Sequence, residues 1–303
     1  MRFAWVIAML LGVFIVEPMS KAAARESQGG AAGYLCIDHT KRDIRELALA
    51  DILRAKKMLR VVYGHTSHGS QLTEGMKGLV GFANRGGLGL DFPRNVFAFN
   101  HGGRNGGLDL HDYFAPGDLG NPDRVTWAKR TREYLEKQEN RDVNVVMWSW
   151  CGQVTRASEE EIALYLETMT ELEEAFPDVT FVYMTGHLAG RYENDNFFAR
   201  NQQIREYCEK NGKVLYDFAD IESWDMSGRY LADKRLRDTC DYDSDGDKRA
   251  DRNWAREYQE KYEKDVYWYE CRAAHTQPLN ANLKAYAAWH LFCEIAKRRS
   301  MEE

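Results

Sequence analysis

VNVVMWSWCGQVTRASEEEIALYLETMTELEEAFPDVTFVYMTGHL (Val143–Leu188) reads as a complete strand–helix–strand unit. An apolar, β-branched run, Val143–Trp148, opens it. Ile162, Leu166, Met169, Leu172 and Phe176 then recur at steps of three and four, the period of one helix face. Ser158 followed by Glu161 is a capping-box start for that helix, and Pro177-Asp178 ends it ahead of a second strand, Val179–Thr185. Two strands joined through a helix run parallel, so the unit predicts a parallel sheet covered by helices.

The same alternation extends outward in both directions. Met58–Tyr63, Asn95–Phe99 and Lys213–Phe218 are further strand candidates, and Asp43–Lys57, Asn201–Lys210 and Asn280–Arg298 are further helices. The last helix is expected to bury Leu283, Ala287, Leu291 and Ile295. No internal repeat or low-complexity linker divides the chain. The expectation is one α/β domain, a three-layer α/β/α sandwich with a five-stranded parallel sheet of flavodoxin-like type, decorated by one charged, aromatic insert at about 219–269.

Composition narrows the classes. Hydrophobic residues at 44% and aromatics at 12% fill a core, which excludes a disordered chain. A net charge of −6 lacks the concentrated basic surface that nucleic acid requires. Met1-Arg2, the apolar run Phe3–Val16 and the small residues Ala22-Ala23-Ala24 have the layout of a signal peptide. Cleavage is expected after Ala24, giving a secreted or periplasmic protein, and no later segment is long and apolar enough to span a membrane. Six cysteines in an exported chain permit disulfides, of which Cys240–Cys271 is the preferred pairing because it would clip the insert.

In an open parallel sheet, ligands bind beyond the carboxyl ends of the strands. GHTSHGSQ (Gly64–Gln71), NHGGRNGG (Asn100–Gly107), SWCGQ (Ser149–Gln153) and GHL (Gly186–Leu188) each follow a strand candidate and are rich in small, polar or histidine residues. In layout they resemble the SGNH/GDSL hydrolases, in which a serine follows the first strand, a glycine the second, an asparagine the third, and a histidine precedes the last helix. HTQPLNANLKAYAAWHL (His275–Leu291) is similar to that family's late histidine block, and NQQIREYCEKNGKVLYDF (Asn201–Phe218) to its penultimate unit. HTS (His65-Thr66-Ser67) stands where the family has GDS.

The resemblance implies an exported serine hydrolase cleaving ester bonds, with O-acyl groups on carbohydrate among the candidate substrates. Ser67 would be the nucleophile, with Ser70 its competitor and a helix cap its alternative role, and His275 the general base. Gly103 (or Gly102) and Gln153 would complete an oxyanion hole with the Ser67 N–H. The family's acid position holds Arg272, which leaves Glu270 as the nearest carboxylate or His275 without one. His65, His68, His101 and His187 are expected to line the substrate site, and Trp127, Trp148, Trp150 and Trp224 to offer stacking surfaces.

Two other classes follow from the residues. The histidines, with Asp109 or Asp112, could hold a catalytic metal in a metallohydrolase. Arg272 in the acid position would also suit an inactive carbohydrate- or envelope-binding module on the same fold. Separately, CDYDSDGDKRAD (Cys240–Asp251) places Asp241, Asp243, Asp245, Asp247 and Asp251 around Gly246 in the manner of a calcium loop. It departs at its end, where Arg252 replaces the usual glutamate. Structural calcium is the expected ligand, and no cofactor is expected in catalysis.

Overall fold

A computed structural model describes residues 33–190 and 195–302. The expected signal peptide, residues 1–24, lies outside the described residues. The elements in chain order are β1 (Leu35–Ile37), α1 (Leu49–Met58), β2 (Arg60–Gly64), α2 (Ser70–Asn84), β3 (Phe99–Asn100), β4 (Leu108–Asp112), α3 (Thr126–Leu135), β5 (Val145–Trp148), α4 (Glu159–Ala175), β6 (Thr180–Met184), α5 (Asn196–Lys210), β7 (Val214–Tyr216) and α6 (Phe218–Glu222). A small antiparallel pair, β8 (Asp241–Tyr242) with β9 (Arg252–Asn253), then α7 (Trp254–Lys261) and α8 (Pro278–Glu302) complete the chain.

Seven strands, all parallel, form the main sheet in the order β1-β7-β6-β5-β2-β4-β3. Helices α1, α2 and α8 pack together, as do α3, α4 and α5, and the two groups flank the sheet. The chain leaves β2 toward β4 and β3 and leaves β5 toward β6 and β7. The carboxyl ends of β2 and β5 therefore border the point where the winding reverses, the place such sheets keep for ligands.

The opening strand–helix–strand unit forms as its pattern dictates. Ser158 Oγ accepts the Glu161 N–H at 3.2 Å while the Glu161 carboxylate accepts the Ser158 N–H at 2.9 Å, a complete capping box. Val145–Trp148 is buried at every position, as expected of a central strand covered on both faces. The four residues predicted for the inner face of the last helix are all buried.

The sheet has seven strands where five were expected. β1 is three residues long and too short to show a period. β4, Leu-Asp-Leu-His-Asp, mixes buried and half-exposed positions directly after the Gly-rich Asn100–Gly107 and is not among the expected strands. The second predicted strand shrinks to Phe99–Asn100 at the outer edge, preceded by a turn in which Asn95 adopts φ +60°.

α8 is nearly encircled. Every residue from Leu279 to Phe292 is buried, because α1, α2, α6 and α7 all pack on it. Its contact with α2 depends on one glycine: a Cβ on Gly75 would stand 2.2 Å from the Ala281 carbonyl oxygen. Gly75→Val is therefore expected to lower stability by about 2 kcal/mol or more, read by chemical denaturation, since overpacking costs ~1–3 kcal/mol where flexible side chains can yield and backbone cannot. Wild-type stability in that variant would mean that the helices separate freely there.

Candidate active site

The turn after β2 and the loop after β5 meet at the switch point. His68 Nδ1 lies 2.9 Å from Cys151 Sγ, and His68 Nε2 lies 2.9 Å from Asp238 Oδ2. Burial pushes the Cys151 thiol up, but the hydrogen bond and charge of His68, aided by the Thr66 and Ser67 side chains, outweigh it and leave the thiol at about 7. Burial likewise disfavours the His68 cation, and Asp238 and Cys151 overcome it to bring the imidazole to about 9. Between those two values the pair exists as thiolate and imidazolium, the form in which a cysteine is nucleophilic.

A second pair sits alongside. Ser67 Oγ is 3.0 Å from His275 Nε2 and 3.8 Å from Cys151 Sγ. The imidazoles themselves are layered: His187 stacks on His68 at 3.7 Å and 2°, and His275 covers the other face at 4.4 Å and 16°. His187 donates its Nδ1–H to the Leu188 carbonyl at 2.8 Å; burial and the neighbouring His68 charge hold it below its usual value, and so neutral. His68 is thus engaged on both edges and both faces, whereas His275 is exposed and adopts φ +63°.

Close backbone approach makes this cluster possible. A Cβ on Gly69 would lie 2.0 Å from Ser149 Oγ and 2.4 Å from His65 Cβ, so the turn presenting Ser67 and His68 accepts only glycine there. Buried Asp118 ties the two loops together, accepting from Thr66 Oγ1 at 2.8 Å and from Gln153 Nε2 at 3.1 Å, while Gln153 Oε1 accepts the Cys151 N–H at 3.0 Å. Asp238 arrives from the insert, where its N–H donates to the Leu188 carbonyl at 3.1 Å.

Beneath the cluster, Lys284 of α8 and Glu222 of α6 form a fully buried ion pair at 2.7 Å. Lys284 also bonds Gln71 Oε1, whose amide donates to the Ala274 carbonyl at 2.6 Å. Glu222 accepts the Leu188 N–H. One network therefore holds the residues adjoining His275 and His187.

The residues singled out from the sequence divide accordingly. Ser67, His68, His187 and His275 come together. No carboxylate meets His275 among the described residues, and exposed Glu270 makes no bond to it. Ser70 Oγ donates to the Ser67 carbonyl at 2.7 Å, a local bond within the turn. His65 sits beside the cluster with both nitrogens engaged, by Asp112 at 2.8 Å and the Thr66 carbonyl at 2.9 Å.

Other expectations are corrected. Gly102 and Gly103 line a pocket with Leu53, Lys56 and Arg60 at the start of β2, about 13 Å of strand away from the turn that carries Ser67. They cannot serve as oxyanion donors. His101 belongs to the same loop and stacks on His111 at 4.0 Å. The Gln153 amide is committed to Asp118, which removes it from the oxyanion role. Trp127, Trp148 and Trp150 are core residues, and Trp224 stacks on His39, so none offers an open stacking face. All six cysteines are free: Cys240 Sγ faces Thr276 Oγ1 and Cys271 Sγ faces the Pro278 carbonyl, which sets aside the Cys240–Cys271 bridge.

Ligand atoms of His68, His187 and Asp238 lie within 4.8 Å of one another. The two rings are parallel, however, so their in-plane lone pairs run side by side and do not converge on one ion at the ~2.0–2.1 Å of a zinc–imidazole bond. Asp109 is taken by the Gly102 N–H and Arg60, and Asp112 by His65 and Lys77. These residues do not fit a catalytic metal.

In the acidic loop, Asp243, Asp245 and Asp247 gather, while Asp241 accepts from Thr239 and Asn253, and Asp251 from Ser244. Three carboxylates, not the anticipated five, would face a cation there.

Sequence reasoning missed Cys151 and Asp238. Cys151 follows a central strand within the SWCGQ stretch already singled out, so its position was a usable signal. Asp238, in a long irregular insert, gave none. No family model matches the chain, and no curated protein is a significant match to it.

Proposed function

We propose that the protein is an acyl-ester hydrolase whose nucleophile is Cys151, with His68 as its general acid and base and Asp238 as the group that orients His68. The observation carrying this reading is His68 bridging Cys151 Sγ and Asp238 Oδ2 at 2.9 Å on each side. The thiolate adds to the ester carbonyl, the imidazolium protonates the departing alkoxide, and neutral His68 then draws a proton from the incoming water. The N–H groups of Ser67 and His68, which donate to no acceptor among the described residues, are free to serve the oxyanion. The same proposal takes the fold in its finer form, a three-layer flavodoxin-like sandwich related to the SGNH type. It also takes the chain as exported, on the strength of residues 1–24.

Alkylation by iodoacetamide tests it. The rate at Cys151 is expected to rise through a midpoint near pH 7, because a thiol at about 7 is half ionised there, whereas one at the ordinary 9 would be ~1% ionised. Hydrolysis of p-nitrophenyl acetate should vanish in step with alkylation. Hydrolysis of an alkyl acetate, whose alkoxide needs a proton to leave, should also fall above about pH 9, where His68 loses that proton. A midpoint near 9, or full hydrolysis by alkylated protein, sinks the thiolate reading.

A serine-first version has one specific observation in its favour, the 3.0 Å contact of Ser67 Oγ with His275 Nε2. It predicts that alkylation of Cys151 leaves a fluorophosphonate-reactive Ser67 and that Ser67→Ala abolishes acylation outright.

A further inference from the structure

We propose that Ser67 and His275 form the second station of an acyl relay that starts on Cys151, receiving the acyl group from the thiol and passing it to water or an alcohol. The inference rests on the reading of Cys151 as the first nucleophile.

Two nucleophile–base pairs stand side by side and share no base. Ser67 Oγ lies 3.8 Å from Cys151 Sγ, so the carbonyl carbon of an acyl group on the sulfur comes into the ~3–3.5 Å range in which a held hydroxyl attacks. His275 Nε2, 3.0 Å from that hydroxyl, is placed to take its proton. The two bases differ in access. His68 is buried and occupied on both edges and both faces, while His275 is exposed to the solvent from which an acceptor arrives. An acyl group on Ser67 would therefore lie beside the base that water or an alcohol reaches directly. His275 holds a left-handed backbone conformation, uncommon for a residue with a side chain and found disproportionately where geometry serves a site.

The steps balance. The Ser67 oxygen adds to the Cys151 thioester carbonyl as its proton moves to His275 Nε2, and the carbon–sulfur bond breaks to release thiolate. His275 gives that proton to solvent, from which His68 is reprotonated beside the restored thiolate. Water then adds to the Ser67 ester carbonyl, losing a proton to His275. His275 returns it to Ser67 Oγ as the carbon–oxygen bond breaks, and the acid departs.

Rapid acid quench during turnover of p-nitrophenyl acetate, followed by peptide mapping, reads where acetyl resides. Wild type is expected to carry it on both Cys151 and Ser67. In Ser67→Ala and in His275→Gln, acetyl should accumulate on Cys151 by tenfold or more while product release slows. Acetyl confined to Cys151 in wild type, with turnover unaffected by Ser67→Ala, overturns the relay and leaves the thiol reading intact. So does a fall in turnover in His275→Gln without accumulation on Cys151. Acetylation of Ser67 in Cys151→Ala at the wild-type rate overturns both, as does the absence of acetyl from both residues in wild type.

Discussion

Cys151→Ala is expected to lower kcat/KM for p-nitrophenyl acetate by at least about 10³-fold while leaving the fold intact. Loss of a nucleophile typically leaves only the residual catalysis of binding and the oxyanion site. The side chain is small, half-buried and held by a hydrogen bond from His68, so the thermal transition should move little. Asp238→Asn provides the graded companion. An amide can still meet His68 Nε2 but no longer supports its charge, so the imidazole falls from about 9 and the thiol, deprived of a full cation, climbs from about 7. With the thiol raised and the imidazole lowered, the acidic and alkaline limbs of the rate profile for an alkyl ester should both move inward and narrow its plateau. A uniform loss with the width of the profile unchanged would assign Asp238 to folding and not to the thiolate.

Much of this architecture was legible because helices and central strands advertise themselves by period. α4 declared both its start and its buried face, and β5, β6 and β2 were continuous apolar runs. Strand order carries no such mark. Which loops meet at the edge depends on the crossover from β4 to β5 over β2, and that crossover sets Ser67 and His68 against Cys151. Gly103 shows the same gap: the apolar run Asn95–Phe99 reads as a full strand ending at the active edge, whereas the strand that reaches that edge on this side is β4, ending at Asp112. The resemblance in layout placed Ser67 opposite His275, where they are found in contact. It could not supply an acid for His275, and it drew attention past Cys151 to Gln153. Asp238 depends on an insert whose path is set by its own small sheet and by contacts with Leu188, none of which leaves a period in the sequence.

Lys284→Met should destabilise the protein by about 3–5 kcal/mol, roughly 10 °C in Tm, because removing one partner strands a charge in the interior. Glu222 and Lys284 are 1% and 0% exposed, and the ammonium also rests 4.0 Å from the Phe218 ring, with no route for water to replace it. Left alone, the Glu222 carboxylate would keep the Leu188 N–H and a long contact from Asn280, too little to offset its desolvation. The double variant Lys284→Met/Glu222→Leu removes both charges and should recover most of that loss, since a buried ion pair is often no better than apolar groups of similar size. Function should not recover with it. Gln71 would lose the ammonium that steadies its bond to Ala274, and Leu188 would lose the carboxylate that fixes its amide, so His275 and His187 would both slacken against His68. A stable double variant with wild-type turnover would mean that the imidazole stack holds its own geometry; a stable double variant with turnover lowered tenfold or more would place the buried pair in the service of the site and not of the fold.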